Sequence, residues 1–593
     1  MVSRAFKLRV RRRVRLRQRQ VEAFGLQAEE QLENNLFRRL GRFRDARRFI
    51  LTWLMLIVLL GGCIIAQSRA LNGYYKTPQP AAGGTLNEGI IGSFTNANPV
   101  YATSAVDLAV SRLIFAGLYK YDSNNQLVGD LADGPWAVDA TGMQYTVHLR
   151  SGLTWQDGKP LTAQDVAFTF HVIQNADAQS PYNAAWQGVT VTAVNATTVT
   201  FALPDPLASF PYSLTMGIIP QHILGNTSMA EMRTATFNTA NPVGAGPFSW
   251  SAIEVAANNQ VRIALKPFQE YNSGAPKLNG FVIHTFRDQQ GMTSSFKNQE
   301  INAMSGLTEV PQDVKNARSY SMPLTAAVMT FFKTSEGILS DTAVRQALVQ
   351  GTDTNAIISS LGYPARAVRE PLLQGQAGYD SAYFQASYSQ AAAEQQLDAA
   401  GWKLAADGIR YKDKQPLTFG LYAENTSEYA KVGRQLQRQW KALGVKVDLQ
   451  LQDTDDFQST LTFHSYDALL YGISIGKDPD VYAYWSSAQA DVRAVSRLNF
   501  SEYRSVAADS SLEAGRTRND PALRAVKYKG FLQAWQKDAP ALGLYQPRYL
   551  YVSRSPIFNL QEHYLNTAAD IYGNVNEWMI RQTAVPQTSV SNE

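Results

Sequence analysis

Cysteine is almost missing from this 593-residue chain. The lone Cys63 excludes an internal disulfide and any zinc site made of several cysteines. Histidine is scarce too. The six histidines, at 148, 171, 222, 284, 464 and 563, form no HExxH or HxH pair, which argues against a histidine-rich metal centre. No Gly-x-x-x-x-Gly-Lys-Ser/Thr pattern occurs, so ATP hydrolysis by that route is excluded. Low-complexity runs and short repeats are absent from the body. With 45% apolar and 18% charged residues, the chain is neither disordered nor collagen-like. At roughly 150 residues per domain, its length allows about three or four domain-sized units.

Charge is unevenly placed. Residues 1–48 hold 15 Lys and Arg against 5 Asp and Glu, whereas 49–593 hold 40 against 45. A basic tail therefore precedes a mildly acidic body. Between them, Phe49 to Ala66 reads FILTWLMLIVLLGGCIIA without a charge. At about 1.5 Å per residue such a helix matches the hydrocarbon thickness of a bilayer. Arg44, Arg47 and Arg48 crowd its N-terminal end, and only Arg69 and Lys76 follow closely. Basic residues stay on the cytoplasmic side, so the expectation is a single-pass cell-membrane protein with residues 1–48 inside. The large domain would then be extracytoplasmic. Leu60-Gly61-Gly62-Cys63 also resembles a lipobox, and a lipoprotein acylated at Cys63 is the alternative; the apolar run continuing through Ile64, Ile65 and Ala66 favours a retained anchor.

Nine Lys and Arg in residues 4–19 suit anionic lipid headgroups. Phe24, Ala28, Leu32, Leu36 and Leu40 form a narrow stripe, as in an interfacial amphipathic helix. Without aromatic interleaving or a binding motif, no nucleic-acid partner is expected.

The body beyond the PQPAAGG linker at 78–84 alternates strand and helix signals. Tyr145, Val147 and Leu149 alternate as a strand, as do Val199, Phe201 and Leu203. Between them Thr162 and Asp165 form a capping-box signature ahead of Val166 and Phe170. Further on, a strand at Leu417, Phe419 and Leu421 leads to a helix with Val432, Leu436, Trp440 and Leu443 on one face. Gly444 stops it, and Val445, Val447, Leu449 and Leu451 make another strand. This βαβ unit predicts an α/β fold.

Several motifs then carry a resemblance. Residues 152–166, GLTWQDGKPLTAQDV, resemble a signature of the extracytoplasmic solute-binding proteins of ABC importers, peptide/nickel type. Pro242 to Phe248 (PVGAGPF) is similar to that family's next turn. Tyr271 with Gly274, Pro276, Lys277 and Leu278 follows, then Asp341 with Val344 to Leu348. Ala399 to Trp402 with Asp407-Gly408, and Asp478-Pro479-Asp480, complete the series in order over roughly 84–580. The resemblance implies a two-lobed periplasmic-binding-protein-like fold of the large type. Lobe one would comprise 84–325 plus 545–580, with an extra subdomain at about 120–235, and lobe two 326–544. The remaining bounds are a tail at 1–48, a transmembrane helix at 49–67, a linker at 68–83 and a flexible tail at 581–593.

The implied function is non-enzymatic and needs no cofactor. A peptide or similar small solute is captured between the lobes and passed to ABC permease and ATPase subunits on other chains, by a monomeric ectodomain. Peptide-binding relatives hold the ligand's amine with an aspartate four residues before the matching proline; here that position is Ile475. Asp478 and Asp480 are the nearby substitutes, and Lys477 would suit an anion. Thr103, Ser104 and Ala105 should line the cleft from lobe one. Tyr471, Gly472, Ile473, Ser474 and Ile475 should face it as a strand edge able to bond a ligand main chain. Tyr471, Tyr482 and Trp485 are wall candidates. Two rivals remain. Gly472 to Gly476 fits G-x-S-x-G, with Ser474 as nucleophile and His563 as base, but no helix signal follows the serine. Alternatively, the outer domain is a sensor signalling through the basic tail.

Overall fold

The computed structural model describes residues 47–586, apart from 257–259, 308, 312–313, 315–316 and 495–496. Residues 1–46 and 587–593, with most of both expected tails and the tail's amphipathic stripe, lie outside the described residues. The chain divides into two units.

In the first, helix α1 (Arg47–Tyr75) includes a stretch, Arg47–Arg69, with mean hydropathy 2.7 and none of it buried against protein. It is long and apolar enough to cross a bilayer. The helix continues past the expected linker start at 68, since the first residue that cannot continue a helix is Pro78.

The second unit, Pro80–Arg581, holds two large sheets and three smaller ones of four, three and two strands. Strand β1 (Thr85–Ile91) leads through a loop to helix α2 (Ala105–Ile114). Next come β2 (Gln144–His148), β3 (Thr190–Asn195) and β4 (Thr198–Ala202), which with the short edge Ala137–Val138 form an antiparallel subdomain sheet. Helix α3 (Ala163–Gln174) packs on it. Its capping box forms: Asp165 Oδ2 accepts the Thr162 N–H at 2.9 Å, and Thr162 Oγ1 accepts from Gln164 N. From its buried face Phe170 meets Trp186 with ring centroids 4.0 Å apart.

The first large sheet continues with β5 (Phe248–Val255), β6 (Val261–Pro267), β7 (Gly280–Phe286), β8 (Ala303–Leu307) and β9 (Arg318–Pro323). At Leu324–Thr325 the chain passes into the second sheet. There it forms β10 (Ala326–Phe332), β11 (Thr418–Glu424), β12 (Lys446–Gln452), β13 (Ala468–Ser474) and β14 (Ala541–Gln546). Pro547 then returns it to β15 (Arg548–Ser553) of the first sheet. The strand orders are β9-β15-β8-β1-β7-β6-β5, and β14-β10-β13-β11-β12 with Arg366–Ala367 at the β14 edge.

Helix α4 (Ser427–Ala442) joins β11 to β12, which pair in parallel from Thr418–Lys446 to Glu424–Gln452. It buries Val432, Leu436 and Trp440, as the 3.6-residue period requires. Gly444 follows at φ +82°, and a Cβ there would come within 2.8 Å of Arg410 and Leu404. The second sheet is buried on both faces. Val328 and Phe332 of β10 enter one core with Trp440, while Ala327, Met329 and Phe331 enter another with Trp485 and Trp535. This two-sided burial explains why its strands read as apolar runs.

Candidate functional site

The two sheets are joined by crossing segments that lie side by side. Leu324 N donates to Pro547 O at 3.0 Å, and Gln546 Nε2 donates to Leu324 O at 2.6 Å. Thr325 links three parts of the chain. Its N–H donates to Leu565 O at 2.8 Å, and its carbonyl accepts from both Ile475 N and Gly476 N at 2.9 Å.

Beside this junction lies a cavity of about 440 Å³. One wall is helix α2. Ser104 caps it, accepting from Asp107 N at 3.0 Å. Buried Asp107 in turn holds the preceding loop through Thr95 and Asn96. Leu108, Ser111, Arg112 and Phe115 follow at helical spacing and face the cavity together. The subdomain side contributes Tyr121, Tyr182, Trp186, Tyr212 and Met216. Tyr182 is fixed by its hydroxyl donating to Ala102 O at 2.5 Å. The second sheet contributes Ser474, Ile475 and Gly476. Burial raises the phenols of Tyr121, Tyr182 and Tyr212 above the ordinary tyrosine range, so they stay neutral donors.

The cavity's charges form one pair. Arg112 Nη2 lies 3.7 Å from Asp570 Oδ1, and Arg112 Nη1 donates to Thr215 O at 3.2 Å. Asp570 Oδ2 accepts from Thr567 N at 2.8 Å and Asn566 N at 3.2 Å. Arg112 Nη2 is buried and has no hydrogen-bond partner among the described residues.

Strand β13 reaches this cavity with part of one edge open. It pairs with β10 along 468–474 but with β11 only at Ala468 and Leu469. Two tyrosines partly fill the gap. The Tyr484 hydroxyl donates to Ser474 O at 2.7 Å, and the Gly472 N–H bonds to the Tyr429 hydroxyl.

Of the residues expected in the cleft, Ser474 and Ile475 line this cavity. Ala105 lines a neighbouring hollow of about 90 Å³ with Ser305, Tyr549 and Tyr572. Thr103 is exposed and lines neither, and the Ser104 hydroxyl is spent on its cap. Gly472 lies one step behind the wall, half-buried against Tyr429. Tyr471 and Ile473 point into the second core instead, Tyr471 packing on Phe457 and Phe500, because the period of two puts them on the Leu469 face. Lys477 is half-buried in the following loop, outside the lining. Asp478 is sealed by Arg524 in a two-pronged ion pair, both bonds 2.6 Å. Asp480 accepts from Ser209 Oγ at 3.0 Å and Arg516 Nη2 at 3.2 Å, while Arg516 stacks over Tyr482 at 4.3 Å. Trp485 is no wall residue. It is fully buried, stacked on Phe331 and edge-on to Trp535. After Ser474 the chain runs on through turns to a short helix at Tyr482–Trp485, so no helix begins behind the serine to form a nucleophile elbow. His563 is half-buried and bonded to Gln561 O.

Sequence reasoning missed Arg112, Tyr182, Trp186, Tyr212 and Asp570. Arg112 had left a trace, as the one basic residue in the otherwise apolar run AVSRLIFAGLY of 109–119.

Two lobes built on separate sheets, joined by two crossings with a cavity beside the junction, define a solute-binding protein of the periplasmic-binding type. The chain belongs to the bacterial extracellular solute-binding proteins, family 5, whose middle-region model matches residues 126–493. It is 25% identical to the oligopeptide-binding protein AppA of Bacillus subtilis over 559 residues, 91% of this chain and 99% of that protein. It is 23% identical to the dipeptide-binding protein of Escherichia coli over 517 residues, 82% and 91% of the two chains. Among solved structures, AppA from B. subtilis in complex with a nonapeptide superposes with TM-score 0.69 at 24% identity, covering 85% of this chain and all of that one. NikZ from Campylobacter jejuni in complex with Ni(L-His) superposes with TM-score 0.71 at 25% identity, covering 84% and 99%. The fold thus accommodates chemically different guests, and the ligand must be read from the cavity's own residues.

Proposed function

We propose that this chain is the membrane-anchored, extracytoplasmic solute-binding component of an ABC importer, and that it takes a peptide or similar small solute into the cavity beside Thr325. The observation that carries this reading is an aromatic-walled cavity of about 440 Å³ at the junction of two lobes, within the size range of small-molecule sites. Family membership supports it, as do relatives named for peptide binding. In this reading lobe one is about 84–325 with 545–580, including the subdomain at 120–235, and lobe two is 326–544.

The mechanism is differential affinity. Solute that touches both walls stabilises the closed form over the open one, and only that difference shifts the population. The two lobes already touch: Ala208 N donates to Arg516 O at 2.9 Å, beside the Ser209–Asp480 bond. Permease and ATPase subunits on other chains would read the closed form and drive transport. Helix α1 would hold the domain to the membrane with the basic tail on the cytoplasmic side, acylation at Cys63 being the alternative. The ectodomain would act as a monomer, and the tail would meet lipid headgroups rather than nucleic acid.

Calorimetry of the full chain in nanodiscs against a mixed peptide library tests the ligand class, with heat of binding expected. No heat with any peptide would exclude peptides as the solute. Protease added to intact cells should digest the domain beyond α1, and its complete protection would overturn the topology.

A further inference from the structure

The cavity offers a bound solute aromatic walls, and its one carboxylate already faces a guanidinium. Asp570 is the one carboxylate in its lining. One of its oxygens caps the Asn566–Thr567 turn, and the other faces Arg112. A ligand ammonium would have to compete there with a guanidinium already tethered in place. Asp478 and Asp480, in the loop that follows Gly476, are committed as well: Asp478 is closed by Arg524, and Asp480 by Ser209 and Arg516.

Main-chain carbonyls could replace a carboxylate, but four of those bordering the cavity already accept side-chain hydrogen bonds. Thr215 O is taken by Arg112, Ala102 O by Tyr182, Ser474 O by Tyr484, and Gly476 O by Gln376 Nε2 at 2.9 Å. Burying an ammonium without a partner is strongly unfavourable. Acceptors, by contrast, are welcome. Arg112 Nη2 is buried and without a hydrogen-bond partner among the described residues, and it needs an acceptor such as an amide carbonyl or a carboxylate. Phe115, Tyr121, Tyr182, Trp186 and Tyr212 complete the site with aromatic surface.

We propose that the solute lacks a free ammonium group: a short amino-blocked peptide, or an amide of similar shape, with an aromatic or branched side chain among these rings and an acceptor on Arg112. This inference rests on the peptide reading above and narrows it.

The test is calorimetry of the full chain in nanodiscs with N-acetyl-phenylalanyl-alanine and phenylalanyl-alanine as matched probes. The acetylated probe should bind, and the free amine should bind about tenfold more weakly or worse. Equal affinities, or tighter binding of the free amine, would overturn this inference and leave the peptide reading standing. Failure of both probes, together with a silent mixed peptide library, would remove the peptide reading and this inference with it. A second measurement uses Ser474→Asp, an exposed position on the cavity rim where a new carboxylate costs little. It should narrow the gap between the probes by strengthening the free amine. An unchanged gap in the folded variant would show that the probes bind elsewhere and overturn the assignment.

Discussion

The two lobes contribute to the cavity in different ways. Lobe one, with its subdomain and C-terminal return, supplies the aromatic rings and the Arg112–Asp570 pair. Lobe two supplies a short stretch, Ser474 to Gly476, while its own aromatic and charged residues nearby face inward: Tyr471 and Trp485 into the core, Asp478 onto Arg524. In the proposed function, solute chemistry would therefore be read mainly by lobe one. Lobe two would contribute rigidity and closure, and substitutions on the two sides should separate stability from recognition.

The largest effect is expected from Asp478→Ala, which leaves Arg524 buried without its partner. Loss of a buried ion-pair member costs about 3–5 kcal/mol, so urea unfolding should shift to clearly lower midpoints. A variant as stable as the parent would show that lobe two does not depend on this pair. Tryptophans sharpen the contrast. Trp485→Ala and Trp186→Ala should each cost about 3–5 kcal/mol in thermal or urea unfolding, since both side chains are buried. Only Trp186→Ala, on the cavity wall, should weaken solute binding in a variant that remains folded. Equal loss of binding in both would erase the proposed division.

Next in size is a pH effect confined to lobe two. Burial pushes the Glu370 carboxyl up to about 8; one oxygen accepts from Asp380 N at 3.2 Å, and the other has no hydrogen-bond partner among the described residues. Between about pH 4.5 and 8 the folded chain keeps a proton that the unfolded chain has lost, so stability should fall as pH rises through that window. Glu370→Gln removes the titration. It should change stability little at pH 4 and raise it by about 2 kcal/mol at pH 8, in parallel urea melts. A gain that is the same at both pH values would contradict the assignment.

The smallest effect is expected at the contact between the lobes. Asp480→Asn weakens the bonds to Ser209 and Arg516, part of which is solvent-accessible, and should cost about 0.5–1.5 kcal/mol of closure. Small-angle scattering of the ligand-free chain should then show a slightly larger radius of gyration. An unchanged radius would mean that the crossings at Leu324–Thr325 and Pro547 hold the lobes by themselves.

Local pattern made much of this architecture legible. The Thr162–Asp165 capping box, the β11-α4-β12 unit and the stop at Gly444 each depend on residues within a few turns of one another, and each forms as its spacing implies. The candidate site was less legible. Ile475 and Ser474 were found through a resemblance, whereas Trp485 and Tyr471 were placed on the wall because an aromatic near a cleft looks the same in sequence whether it faces a ligand or a core.

By itself, then, the sequence determined the α/β class, the apolar stretch ahead of the body, the family and the order of its turns. The class and the apolar stretch follow from composition and hydrophobic period, and the family and its turns from the resemblance of its motifs. Only the tertiary structure decided that Arg112 meets Asp570, that Asp478 is lost to Arg524, and that Ser474 O on the cavity rim is bonded to Tyr484. Such pairings join residues far apart along the chain. Their partners are chosen by how the two sheets pack and cross, and no local spacing encodes that choice.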